Sequence, residues 1–253
     1  MSNRVHRRWG SPLRRHGIAY AIVALAASTF PAPSVAADLA VATADLANEA
    51  VPAQSGEPDA RKIACQKRFT GGSGDDRIHG NRNDNVICGL RGADWLFGNA
   101  GDDILRGGAG WHDQLEGGLG DDVLNGGPGF DHINGNEGRD IVYGGAYFDN
   151  LFGGSAADYI FGDDGDDALT GGRGDDRLTG GNGNDEIYGN AGDDIVRGGP
   201  GDDYIKLEHH DRFDTHDSAR CGDGDDIVLI DAGGDGHGGR DTVAADCETV
   251  IED

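Results

Sequence analysis

A glycine-rich repeat that returns every nine residues is the strongest constraint in this sequence. Residues 71–206 divide into fifteen units, and the unit at residues 171–179 shows the pattern GGxGxDxUx, in which U is a large aliphatic residue. Repeats of this kind indicate a solenoid, in which each unit packs only on its neighbours. The units begin at Gly71, Gly80, Gly89, Gly98, Gly107, Gly117, Gly126, Gly135, Gly144, Gly153, Gly162, Gly171, Gly180, Gly189 and Gly198, and only the Gly107 unit has ten residues.

Two positions of the unit keep their chemistry along the whole array. When the extra residue of the Gly107 unit is left out of the numbering, the eighth position is aliphatic in every unit, from Ile78 to Ile205, and the sixth is Asp in every unit except one, which has Asn85. Low-complexity disorder does not explain two chemistries held in phase over fifteen units.

Each half of the unit has a predictable conformation. The three residues around the aliphatic position favour a short strand, whose middle side chain points inward while its neighbours point outward. The GGxGxD half must reverse the chain, and glycine adopts the positive φ angles of tight turns at little steric cost. Aspartate oxygens and backbone carbonyls beside such a turn are the hard oxygen ligands that Ca²⁺ prefers.

This pattern resembles the calcium-binding nonapeptide repeat of the RTX (haemolysin-type) family over residues 71–206, with a further copy at 221–229. The resemblance implies an all-β fold: a right-handed parallel β-roll with two repeats per coil and several Ca²⁺ ions between coils. Aspartates two units apart would then stack, as in the pairs Asp122 and Asp140, Asp131 and Asp149, Asp158 and Asp176, and Asp185 and Asp203. The expected calcium ligands are Asp76, Asp94, Asp103, Asp113, Asp122, Asp131, Asp140, Asp149, Asp158, Asp167, Asp176, Asp185, Asp194, Asp203 and Asp226.

Several departures from the repeat predict local changes. Asn85 weakens the first site on its side of the roll, because it lacks a charge. Tyr147 and Ala156 replace the fourth-position glycine, which predicts strained or reshaped turns and weaker sites beside Asp149 and Asp158. The extra residue of the ten-residue unit, Trp111 or His112, predicts a bulge.

The chain ends indicate four regions. Residues 1–37 have basic residues, an apolar run and Val35-Ala36-Ala37, as in a secretory signal peptide, and 38–64 form a linker. Residues 65–206 are the roll, with a first capping strand at Arg68-Phe69-Thr70. Residues 207–253 hold an inserted polar loop up to Arg220, a further repeat and a C-terminal cap with Thr249-Val250-Ile251. In the inserted loop His209, His210, Asp211, Asp214, His216 and Asp217 are conceivable transition-metal ligands, although their spacing defines no site.

Four cysteines in an exported chain favour two disulfides. Cys65, Cys88, Cys221 and Cys247 allow three pairings, and we favour the two local ones, each closing a loop of about 25 residues. Extracellular localisation follows from the signal peptide.

Charge and motifs exclude several functions. Five of the 21 basic residues and none of the 46 acidic residues precede the cleavage site, so the exported chain has a formal charge of −30 and favours cations over nucleic acid. It has no HExxH or GxSxG motif and no apolar stretch that would span a membrane, which predicts neither an enzyme nor a pore.

The predicted outer surface suggests an alternative function. On one sheet the seventh position is mostly apolar, with Ile104, Val123, Ile141 and Tyr159 aligned in successive coils. An exposed apolar column marks a contact surface, although β-branched residues also suit strands for their own sake. The alternative to a simple calcium-binding module is therefore a calcium-stabilised adhesive or structural surface protein, with this face docking residues 38–64, another molecule or a surface partner.

Overall fold

The protein is seen in a computed structural model that describes Cys65 and residues 69–207, 216–230 and 241–252. These residues form nineteen β-strands and no α-helix. The strands are β1 (Arg77–His79), β2 (Val86–Arg91), β3 (Trp95–Ala100), β4 (Ile104–Ala109), β5 (Gln114–Leu119), β6 (Val123–Pro128), β7 (His132–Glu137), β8 (Ile141–Ala146), β9 (Asn150–Ser155), β10 (Tyr159–Asp164), β11 (Ala168–Arg173), β12 (Arg177–Asn182), β13 (Glu186–Ala191), β14 (Ile195–Pro200), β15 (Tyr204–Lys206), β16 (Ser218–Asp223), β17 (Ile227–Ile230), β18 (Thr242–Val243) and β19 (Thr249–Glu252).

Alternate strands form two parallel sheets. The odd-numbered strands make a ten-stranded sheet and the even-numbered strands a nine-stranded sheet. Within each sheet a strand pairs with the strand two places later, so that Ile160 lies beside Leu178, eighteen residues on. One coil therefore contains two nine-residue units, which confirms the predicted parallel β-roll.

The core is a single row of inward-pointing side chains. The eighth-position residues from Ile87 to Ile205 are at most 1% exposed, and Phe69 and Val228 continue the row towards the two ends. Burial of one such side chain contributes about 1.5–3 kcal/mol. Because most strands supply only one core side chain, the coils need additional stabilisation from their turns.

Most strands are longer than the predicted three residues. In β11 the strand continues through Gly171, Gly172 and Arg173, and Gly172 pairs with Gly154 of the previous coil. Gly172 has φ +119°, and a Cβ there would collide with the carbonyl oxygen of Gly154. Glycine at the second position thus allows both the turn and the close contact between coils.

The two ends are closed by disulfides with the local pairing. Cys65 bonds to Cys88, and Cys221 bonds to Cys247. Of the predicted capping strand at the N-terminal end, Arg68 lies outside the described residues, and Thr70 forms a single bridge with Cys88 beside the buried Phe69. At the C-terminal end β19 contains the predicted Thr249-Val250-Ile251 strand.

The expectation that residues up to Arg220 form an inserted loop is wrong for its last part. Strand β16 begins at Ser218 and pairs with β14, and Ala219 takes the core position. Alanine did not match the large aliphatic residue of the repeat, which concealed this unit in the sequence. His209, His210, Asp211 and Asp214 lie outside the described residues.

The described residues form no helix with the length and apolar character needed to cross a membrane.

Candidate metal centre

The sixth-position aspartates form two columns, one in the turns at each edge of the roll. In each column the Oδ1 atom of one aspartate accepts a hydrogen bond from the backbone N–H of the sixth residue one coil earlier. The N–H of Asp122 donates to Asp140 Oδ1 at 2.8 Å, and the N–H of Asp185 donates to Asp203 Oδ1 at 2.9 Å. The predicted stacking of aspartates two units apart is therefore confirmed, including the pairs Asp131 with Asp149 and Asp158 with Asp176.

The second oxygen of these carboxylates has no such partner. Among the described residues, the buried Oδ2 atom of fourteen aspartates accepts no hydrogen bond. A buried acceptor left unsatisfied costs about 1–3 kcal/mol, and more when it carries charge. The fourteen are Asp94, Asp103, Asp113, Asp122, Asp131, Asp140, Asp149, Asp158, Asp167, Asp176, Asp185, Asp194, Asp203 and Asp226.

Backbone carbonyls converge on the same space as these Oδ2 atoms. A methyl group built on Gly144 would lie 2.5 Å from Asp149 Oδ2 and 2.8 Å from the carbonyl oxygen of Gly162 in the next coil. The first-position glycines in the middle of the roll repeat this arrangement, with the carboxylate of their own unit and the glycine carbonyl one coil later. Carboxylate and carbonyl oxygens brought together in this way fit a Ca²⁺ ion.

Burial makes these carboxylates weak acids when no cation is bound. Desolvation, opposed by the backbone hydrogen bond, raises the pKa of Asp122 and Asp158 to about 8. It raises the pKa of Asp149 and Asp194 to about 8 as well. Neighbouring carboxylates, such as Asp140 and Asp103 around Asp122, raise the pKa further. Either protons or cations must therefore neutralise the columns near pH 7.

The fifth-position acids have a different role, which the sequence did not predict. Asp175 Oδ1 accepts the backbone N–H of Asp193 one coil later at 3.0 Å, so this exposed ladder points in the opposite direction to the sixth-position ladder. Arg139 interrupts it, and its guanidinium lies 2.6 Å from Asp121 Oδ2. The backbone and side-chain hydrogen bonds from Arg139 lower the pKa of Asp121. The Asp-Asp doublets of the sequence thus combine one exposed acid with one buried acid.

The turns at Tyr147 and Ala156, which replace a fourth-position glycine, keep the shape of the others. Tyr147 has φ +78° and Ala156 has φ +83°, in the left-handed region where glycines stand in most other units. Asp149 and Asp158 are as buried as their neighbours and keep the same hydrogen bonds to the previous coil. Of the two alternatives expected for these turns, the structure shows backbone strain and not a changed shape.

The first residue of each column, Asp76 in one and Asn85 in the other, differs from the later aspartates in its side-chain hydrogen bonds. Asp76 is only partly buried, and its Oδ2 accepts the backbone N–H of Gly72 at 2.6 Å. Asn85 is buried, and its Oδ1 accepts the N–H of Asn81 at 2.7 Å. These two oxygens already have donors, so the first coil is less suited to an ion than the coils that follow.

Three acids at the C-terminal end continue the columns beyond the predicted ligands. Asp217 is buried, and its Oδ1 accepts the N–H of Asp194 at 2.8 Å. Asp241 accepts from Asp217, and Glu248 accepts from Asp226. Asp217, Asp241 and Glu248 are followed two residues later by Ala219, Val243 and Val250, and this spacing was the available signal in the sequence. At Glu248 the signal was weaker, because glutamate stands where the repeat has aspartate.

The insertion in the ten-residue unit places an aromatic cluster outside one column. The rings of Trp111, Phe130 and Tyr147 lie 5.8–6.2 Å apart in three successive turns, and Trp111 is 65% exposed. The register adjusts without loss of pairing, because Leu96 and Leu115 are partners at a separation of nineteen residues. The extra residue is therefore accommodated in the turn.

The donor set of the columns restricts how an ion can be bound. Within the described residues no group of three or more His, Cys, Asp or Glu side chains is arranged to hold a metal ion. An ion between coils must therefore take backbone carbonyls in addition to the aspartates, as the positions of the first-position glycines allow.

The chain is similar to one known family of repeats. A family model described as the RTX calcium-binding nonapeptide repeat matches residues 68–96, 83–110, 116–146, 143–178 and 170–205, which together cover more than half of the chain. No curated protein has significant similarity to the sequence.

Proposed function

This chain belongs to the family of RTX calcium-binding nonapeptide-repeat proteins, and on that premise we propose that it is a secreted protein that folds on binding several Ca²⁺ ions between its coils. The proposed ligands are the sixth-position aspartates predicted from the sequence, from Asp76 to Asp226, together with Asp217. The fourteen buried Oδ2 atoms without a hydrogen bond support this proposal most directly. The proposed role is binding rather than catalysis.

The two carboxylate oxygens of each aspartate have different roles in holding an ion. Oδ1 of each aspartate is used by the preceding coil, which fixes the carboxylate in place, and Oδ2 and a glycine carbonyl remain to face the cation. A bound Ca²⁺ supplies the positive charge that compensates the buried carboxylates. Because only the folded coils bring these oxygens together, calcium binding contributes directly to the free energy of folding.

A calcium titration tests this proposal. At pH 8 the chain from residue 38 onwards should be disordered in chelator and β-rich in millimolar calcium by circular dichroism, with several bound ions counted by native mass spectrometry. Equal β content in chelator and in calcium would overturn calcium-dependent folding. A count of one ion or none would overturn the assignment of the columns.

Export of the chain is the second part of the proposal. The two disulfides indicate an oxidising compartment, and residues 1–37 have the composition of a signal peptide. Expression in a secreting bacterial host should yield an extracytoplasmic chain that begins at Asp38 by N-terminal sequencing. Retention of Met1 on the exported chain would contradict it.

The nine-stranded sheet favours an additional adhesive role. Its outward seventh-position residues are paired in register, with Ile104 beside Val123 and Val123 beside Ile141. Tyr159 continues this column beside Ile141. We infer that this column mediates self-association of the calcium-loaded roll. Changing Ile104, Val123 and Ile141 together to Thr should preserve calcium-induced folding and abolish self-association in sedimentation experiments, and a strictly monomeric parent would contradict this role.

A further inference from the structure

A shallow groove of about 840 Å³ crosses the outer face of the ten-stranded sheet. One wall is a column of ninth-position side chains, in which Phe97, Glu116, Asn134 and Phe152 come from four successive strands. The groove therefore runs across the strands, along the axis of the roll, and bears two aromatic rings three strands apart.

The opposite wall and the floor differ from the first wall. Third-position residues form the opposite wall, with Glu137, Ser155 and Arg173 in adjacent strands. First- and second-position glycines, such as Gly117 and Gly118, line the groove between the walls. Because glycine has no side chain, a ligand can approach the backbone closely there.

The two aromatic rings are held in place by neighbouring side chains. The His79 ring stacks on Phe97 with centroids 4.4 Å apart, and the Arg77 guanidinium lies 5.0 Å from the centroid of the same ring. The His132 ring meets Phe152 edge-on at 5.4 Å. Both phenyl rings are partly exposed and pre-positioned, which reduces the entropy lost when a ligand binds them.

The direction and chemistry of the groove restrict its ligand. Neighbouring strands are about 4.8 Å apart, which is close to the advance per sugar in a linear chain of equatorially linked pyranoses. An extended peptide advances about 3.3–3.6 Å per residue and pairs along strands rather than across them. Glu116, Glu137 and Arg173 leave the walls with an acidic excess, and the whole chain is acidic, which disfavours polyanions.

We propose that this groove binds a neutral, linear polysaccharide of equatorially linked hexopyranoses. The sugars pack against the exposed parts of Phe97 and Phe152, and their hydroxyl groups hydrogen-bond to Glu116 and Asn134 between the two rings. This ligand goes beyond the proposed calcium binding. It requires the folded roll, because the two walls exist only when successive coils are paired.

Titration calorimetry with calcium-loaded full-length chain tests the proposal, with cellohexaose and mannohexaose as probes. At least one hexaose should bind, and more tightly than the trisaccharide of the same sugar, because the two rings lie three strands apart. Phe152→Ala should weaken binding by about tenfold or more, as expected for the loss of an aromatic contact. Phe161→Ala is the matched control, because Phe161 has the same repeat position on the other sheet and stacks on Tyr143.

The outcomes separate this proposal from calcium binding. Binding that is lost in Phe152→Ala and retained in Phe161→Ala, with unchanged calcium-induced circular dichroism in both variants, supports the groove. Absence of binding by either hexaose, or equal effects of the two substitutions, overturns it. Binding of polygalacturonate alone also overturns it, because a calcium-bridged polyanion needs neither phenyl ring. Loss of calcium-induced folding in the parent would instead be a failure of the proposed function.

Discussion

The raised pKa values of the buried aspartates predict that acid can replace calcium as the condition for folding. In the metal-free roll Asp122, Asp149, Asp158 and Asp194 have pKa values of about 8, against 3.8 for an ordinary aspartate. Between pH 4 and pH 8 the folded metal-free chain therefore binds more protons than the unfolded chain. Its free energy of unfolding must rise as the pH falls through this window, and fall as the pH rises.

The size of this effect follows from the shifts. Going from pH 8 to pH 5.5 stabilises a fully enclosed carboxyl with a pKa of about 8 by about 3 kcal/mol, at about 1.4 kcal/mol per pH unit. Solvent at the edge of the roll reduces this to about 1.5 kcal/mol for each group. The four aspartates together contribute about 6 kcal/mol, which is comparable with the whole stability of a typical domain.

Circular dichroism in chelator measures this effect directly. The exported chain should be disordered at pH 8 and β-rich at pH 5.5. Replacing the four aspartates by Asn should weaken the dependence on pH, since an amide does not titrate, while the other column aspartates with raised pKa values retain part of it. In calcium the trend should reverse, with higher calcium required at lower pH, because protons compete for the ligands. A metal-free chain that is equally disordered at both pH values, or an Asn variant with the parent's pH profile, would refute the reasoning.

Three further tests use substitutions. Asp176→Asn should raise the calcium concentration at the midpoint of folding several-fold and lower the number of bound ions in native mass spectra, because it removes a buried charge. The neighbouring Asp175→Asn is the control and should leave the number of bound ions unchanged. Ala156→Gly should stabilise the calcium-loaded roll by about 1 kcal/mol in urea unfolding, since φ +83° is strained for alanine; a lower midpoint would count against strain. Replacing Cys221 and Cys247 together by Ser opens a link across 26 residues and should cost about 3 kcal/mol of stability, so an unchanged thermal midpoint would argue against a stabilising cap.

The repeat made the fold and the aspartate columns predictable. A period of nine residues with Asp and an aliphatic residue two positions apart fixes which side chains point inward. The two units per coil that the RTX resemblance implies set the separation of partners at eighteen residues. The stacking of Asp122 with Asp140 followed from the period and the resemblance together, as did the apolar column from Ile104 to Tyr159. The alternation of side chains along a strand and the spacing of the repeats can both be read directly from a sequence.

Other features depend on contacts between coils, which the pattern does not encode. Asp175 and Asp176 are identical residues in sequence, and only the path of the turn exposes one and buries the other. Ala219 takes a core position because β14 offers it a partner strand, although alanine is a weak signal for a buried strand. Tyr147 keeps the glycine-like turn because the neighbouring coils hold its backbone in place, with its N–H donating to the carbonyl of Asp164. The groove between Phe97 and Phe152 likewise exists only once coils are stacked, since its walls come from residues many positions apart in the chain.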